Sequence, residues 1–116
     1  MENNLNAFFG AMADPTRRAV IETLVSGPRT VSDLHAPHNM ALPTFMKHLS
    51  KLQNAGLIRS VKKGRVRTIH IEAAPMKAAE DWITRQRQMW TTRLDRLALL
   101  AETTTQKEIK NERNNP

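Results

Sequence analysis

The chain has 116 residues, the length of one small domain, with 18 Lys+Arg against 11 Asp+Glu and a net charge of +7. It contains no cysteine and no tyrosine, which excludes disulfides, thiolate metal sites and thiol redox chemistry. No apolar run is long enough to span a bilayer and none follows a basic start, so a cytoplasmic protein with no secretory signal and no membrane contact is expected.

Residues 3–12 predict a weakly amphipathic helix with an apolar stripe of Leu5, Phe8, Phe9 and Met12. A second helix starts at Asp14-Pro15-Thr16, with Asp14 as its cap and Pro15 at its first position, and stops near Ser26-Gly27-Pro28. Arg17 and Arg18 fall in its first turn, where the helix dipole disfavours cations. At least one of them therefore needs a partner, and an internal salt bridge is expected. Thr30 caps a short third helix that Pro37 ends.

A turn of about four residues leads to Leu42–Asn54. Here Phe45, Leu49 and Leu52 share one face at i, i+4 and i+7, while Thr44, Lys47, Ser50 and Lys51 make an opposite face without an acid. Gly56 suits the position just past the end. A short helix, a turn and a second helix with an acid-free polar face form a helix-turn-helix suited to a DNA major groove. Two β-rich stretches follow, meeting at Lys62-Lys63-Gly64-Arg65, and predict a hairpin with a cationic tip, the wing of such a unit. Residues 29–67 hold eight basic side chains and one acid, Asp33, so this segment carries the whole charge excess. That concentration of one sign is the footprint of a polyanion-binding surface.

Pro75 starts a long last helix, 75–101, with a stripe of Trp82, Met89, Trp90, Leu94, Leu97 and Ala101. At about 1.5 Å per residue it is longer than a small core can cover. With helix 3–12 it therefore predicts a homodimer face made by Leu5, Phe8, Phe9, Met12, Trp82, Met89, Trp90, Leu94 and Leu97. Residues 102–116 are polar and charge-balanced and are expected to form a disordered tail. The expected fold is mainly α with a small β-hairpin: a dimeric winged helix-turn-helix of about five helices plus a two-stranded wing, over residues 1–101.

Taken together, Asp14-Pro-Thr-Arg-Arg18, Val31-Ser-Asp-Leu34, Leu42-Pro-Thr-Phe-Met-Lys-His-Leu49, Ala55-Gly-Leu-Ile58 and Gly64-Arg65 resemble the ArsR/SmtB family of winged helix-turn-helix repressors over about residues 5–100. The resemblance implies dimers built on the first and last helices, imperfect palindromic sites, and repression relieved by an effector. It is to a cysteine-free branch, with a Trp-containing last helix ending in the run Arg93–Leu97. Metal-sensing relatives carry cysteines on the helix that here reads Thr30-Val-Ser-Asp-Leu-His-Ala36, and others place histidine on the last helix, which here has none. His35 and His38 are separated by Pro37 and lack further ligands, so no metal and no cofactor is expected.

The reading assigns base-edge contacts to Thr44 and Lys47, with apolar help from Pro43 and Met46. Phosphate contacts fall to Thr30, Ser32, Ser50 and Lys51, and backbone or minor-groove contacts to Lys62, Lys63, Arg65 and Arg67. The partners expected are double-stranded DNA, a second copy of the chain, and a small-molecule effector of unspecified identity. Trp82, Met89 and Trp90 suggest an apolar cleft for that effector. No catalytic constellation is present: Glu80 and Asp81 diverge on a helix, and no Ser/His/Asp spacing or phosphate loop exists. The alternatives are a winged-helix protein-interaction module and a non-specific nucleic-acid binder.

Overall fold

A computed structural model describes residues 2–114, with side chains described for 4–107. The chain runs α1 (Glu2–Met12), α2 (Pro15–Leu24), β1 (Arg29–Thr30), α3 (Val31–His35), α4 (Leu42–Asn54), β2 (Ile58–Lys63), β3 (Val66–Ile71) and α5 (Ala74–Asn114). It divides into two compact units, residues 1–80 and 81–116.

In the first unit α1 packs on α2 and α4, and the core gathers Val20, Leu24, Leu34, Phe45, Leu52, Leu57 and Ile69. Phe45, Leu49 and Leu52 are the buried residues of α4, as their spacing requires. Asp14 caps α2: its Oδ1 accepts from Thr16 N–H at 2.8 Å and Arg17 N–H at 3.1 Å. Thr30 caps α3, its Oγ1 accepting from Asp33 N–H at 3.1 Å. No side chain caps α4, whose N-cap residue is Ala41. A missing cap costs about 1 kcal/mol, while each buried side chain of that size contributes about 1.5–3 kcal/mol, so packing decides that α4 forms.

The two strands of the expected wing are joined by a third. Residues Arg29–Thr30 add to β3, giving an antiparallel sheet in the order β1-β3-β2, with Arg29 opposite Ile69 and Thr30 opposite Thr68. The hairpin turns over two residues only, Gly64 and Arg65, because Lys63 pairs with Val66. Gly64 has φ +60° and Arg65 does not share a positive φ, the pattern of a type II′ turn with glycine first. Gly56, at φ +74°, ends α4 in the left-handed region.

Three expectations change. Neither Arg17 nor Arg18 is paired with a carboxylate among the described residues: Arg17 Nε donates to Ala11 O at 2.7 Å, its Nη2 to Gly10 O at 3.1 Å and its Nη1 lies 3.0 Å from His48 Nδ1, while Arg18 Nη1 donates to Met12 O at 2.7 Å. The last turn of α1 leaves its carbonyls short of helical partners, Gly10 O taking only a long bond from Ala13 N–H at 3.3 Å, so cations there satisfy both hydrogen bonding and the dipole. Phe8, placed on the dimer face, lies in the chain's own core, with Leu5 and Met12 packed against it; α1 is covered by α2 and α4, which turns that stripe inward. Finally, α5 does not stop near 101 but continues to Asn114. Residues 102–114 hold no glycine or proline, several strong helix formers, and Thr103 and Thr105 hydroxyls that donate to Leu99 O and Ala101 O. Residues 115–116 of the expected tail lie outside the described residues.

Candidate nucleic-acid interface

The outward face of α4 carries Pro43, Thr44, Lys47, Ser50 and Lys51, all exposed. It contains no acid, and the burial of Phe45, Leu49 and Leu52 fixes which way it points. Met46 sits at the boundary, half-buried and packed against the core, so its side chain faces outward only in part. On α3, Ser32 is exposed, while Thr30 is half-buried with its hydroxyl oxygen engaged as the cap.

The hairpin supplies the second cationic surface. Lys62, Lys63, Arg65 and Arg67 are exposed, and among the described residues none of them forms an ion pair. Arg59, nearer the sheet's base, does: its Nε lies 2.6 Å from Glu72 Oε1. The register places Lys62 directly opposite Arg67. Like charges facing across strands cost roughly 0.2–1 kcal/mol, and a phosphate backbone between them removes that cost.

Three of the four histidines make contacts within the fold. His35 Nε2 lies 2.8 Å from Met40 O and its ring leans on Phe45, while His38 stacks on the same Phe45 with centroids 5.5 Å apart. These rings close the turn between α3 and α4. His48 Nδ1 lies 3.0 Å from Arg17 Nη1 and 3.8 Å from Asp14 Oδ1. Burial acts to raise the Asp14 pKa, but the N–H groups of Arg17 and Thr16 and the charges of His48 and Arg17 together bring it below the ordinary carboxylate value. Among the described residues no three His, Asp or Glu side chains gather as metal ligands.

The second unit is described from its helix alone. Trp90 is 68 % exposed, and Met89, Leu94 and Leu97 are also exposed; Trp82 is 38 % exposed. The structure adds Ile83, Leu99 and Leu100 to this set. Ile83 was legible as the i−7 neighbour of Trp90, at the same helical spacing. A groove of about 600 Å³ runs along the helix, lined by Arg85, Gln88, Met89, Thr92, Arg93 and Arg96. Of the three residues expected to line an effector cleft, only Met89 borders it. No helix among the described residues is long and apolar enough to cross a membrane.

Residues 12–61 match a helix-turn-helix domain family. The chain is 30% identical over 92 residues to the HTH-type transcriptional regulator Rv2034 of Mycobacterium tuberculosis, spanning 79% of this chain and 83% of that protein. It is 28% identical over 79 residues to the transcriptional repressor SdpR of Bacillus subtilis, spanning 68% and 88%. Among solved structures, that of an ArsR family transcriptional regulator matches with 50% identity and a TM-score of 0.76, covering 78% of this chain and 94% of its own. An ArsR-like transcriptional regulator from Rhodococcus sp. RHA1 matches with 27% identity and a TM-score of 0.74, covering 86% and 94%.

Proposed function

Because this chain belongs to the ArsR family of helix-turn-helix transcriptional regulators and is a DNA-binding regulator of transcription, we propose that it works as a homodimeric repressor that occludes a palindromic operator. The observation that carries this reading is the pairing of two acid-free surfaces, the outward face of α4 and the hairpin tip, within one compact unit. Thr44 and Lys47 take base edges in the major groove, with Pro43 and the exposed edge of Met46 against thymine methyls. Thr30, Ser32, Ser50 and Lys51 hold phosphates beside them, and Lys62, Lys63, Arg65 and Arg67 hold the flanking backbone or the minor groove.

The dimer is carried by α5, with Trp90, Leu94, Leu97 and Met89 as its apolar face and Trp82 on the same helix; contiguous apolar surface of this kind marks an interaction site. Two copies then place their α4 helices in successive major grooves, about 34–36 Å apart. A small-molecule effector acting through α5 is part of the same reading, and a change in tryptophan fluorescence together with release from DNA identifies it.

The test is selection of duplexes from a random-sequence pool by the full chain. Enrichment of a two-fold sequence supports the reading. An unenriched pool with salt-sensitive binding points to a non-specific binder. No DNA retention at low salt points to a winged-helix protein-interaction module.

A further inference from the structure

Arg17 is the buried charged side chain of the core, 8 % exposed, and it sits where three helices meet. Two of its donors are spent on Gly10 O and Ala11 O, at the C-terminal end of α1. The third, Nη1, lies 3.0 Å from His48 Nδ1 on α4. A guanidinium carries donors only, so this contact needs the lone pair of Nδ1 and puts the proton of the neutral ring on Nε2. The same Nδ1 lies 3.8 Å from Asp14 Oδ1. That single nitrogen therefore stands between a cation and an anion. A proton on it abolishes the Arg17 bond, sets two cations face to face, and creates a donor that Asp14 can accept. His48 follows Lys47 directly in α4, so a change in its bonding acts on the helix that faces DNA.

We infer that Arg17, His48 and Asp14 form a proton-operated joint: neutral His48 ties α4 to the end of α1 through Arg17, and the imidazolium leaves Arg17 for Asp14, lowering sequence-specific DNA affinity. This rests on the reading of α4 as the base-reading helix. Among the described residues the charged groups on the elements around the ring are as follows. From α2, Arg17 and Asp14 face the ring, while Arg18 is held by Met12 O. Among the described side chains of α1, residues 4–12, none is charged, and that helix offers its carbonyls. From β2, Arg59 is paired with Glu72. On α4 itself Lys47 and Lys51 are exposed to solvent. The joint also supplies a route from the first helix to the DNA face, because Arg17 grips the last carbonyls of α1 with the same guanidinium that holds His48.

The test measures affinity of the full chain for its selected duplex and for a random duplex of equal length, at constant ionic strength, at about pH 7.5 and about pH 5.5, which bracket histidine protonation. For the unaltered chain the specific-to-random ratio is expected to fall about tenfold on acidification, a typical coupling. In His48→Asn the amide oxygen lies near the place of Nδ1 and accepts from Arg17 at both values, so the ratio holds. His48→Lys is charged throughout and gives a low ratio at both values, with circular dichroism and thermal melts confirming the fold. The ¹⁵N shifts of the His48 ring in the free protein should report the Nε2–H tautomer at neutral pH. An equal fall in the unaltered chain and in His48→Asn, or an Nδ1–H tautomer, overturns the joint while leaving the DNA reading intact. Absence of any preferred sequence at either pH overturns the reading of α4, and the role of the joint with it.

Discussion

At Asp14 one carboxylate oxygen accepts two backbone N–H groups and lies 3.8 Å from His48. Asp14→Ala removes the cap of α2 and should lower stability by about 1 kcal/mol; Asp14→Asn keeps an acceptor oxygen and should cost less. The carboxylate's native pKa is below its unfolded value of 3.8. Its contribution is therefore complete above that value and is lost as the pH falls through the lowered native value. Urea melts across this acid limb should show a shallower loss for Asp14→Asn than for the unaltered chain, and identical slopes would contradict the assignment. Asp14 as a cap was readable from Asp-Pro-Thr alone, because capping is local. The carbonyl partners of Arg17 were not, because they are backbone oxygens that no residue type marks. Lys47 belongs to this scale too. Lys47→Ala should weaken binding to the selected duplex about tenfold or more, since a good base contact contributes about 1–3 kcal/mol, and should weaken random-duplex binding less. Equal losses, read by anisotropy titration, would make it a phosphate contact.

Among the elements, α4 and the hairpin were legible because their patterns are strong and local. Phe45, Leu49 and Leu52 repeat at helical spacing, Gly56 and Gly64 sit at positive φ, and the charge gathers at the turn. The two-residue β1 left no such trace: Arg29 and Thr30 become a strand only because β3, nearly forty residues on, offers them partners. The acid-free side of α4 was likewise legible as a face, but the half-burial of Met46 at its edge depends on what packs beside it. The hairpin's assignment is tested through salt. With Lys62 facing Arg67 and Lys63 and Arg65 at the turn, each phosphate contact removed should flatten log affinity against log salt by about 0.9. Lys63→Ala combined with Arg65→Ala should thus reduce the slope by nearly twice that. An unchanged slope would mean that the hairpin tip lies away from DNA.

Across the whole molecule, the second unit carries an apolar stripe with Trp90 68 % and Leu94 64 % exposed. The stripe was visible in the sequence as a helical repeat; the helix's continuation to Asn114 was not, because a run of Glu, Thr, Gln and Lys without apolar spacing reads as an uncommitted tail. Phe8 shows the converse error, an apolar residue whose spacing is right and whose destination is the chain's own core. If α5 makes the dimer, Trp90→Glu and Leu94→Glu should shift sedimentation to the monomer and weaken operator binding together, with the melting of residues 1–80 little changed; a dimer that persists in both would move the interface elsewhere. If one dimer holds two α4 helices against two half-sites one helical turn apart, their spacing is fixed. The affinity of the full chain for its selected duplex should then be measured with about 5 base pairs, half a turn, inserted between the half-sites. Binding is expected to fall to the level of a single half-site, whereas unchanged affinity and stoichiometry would contradict the paired reading.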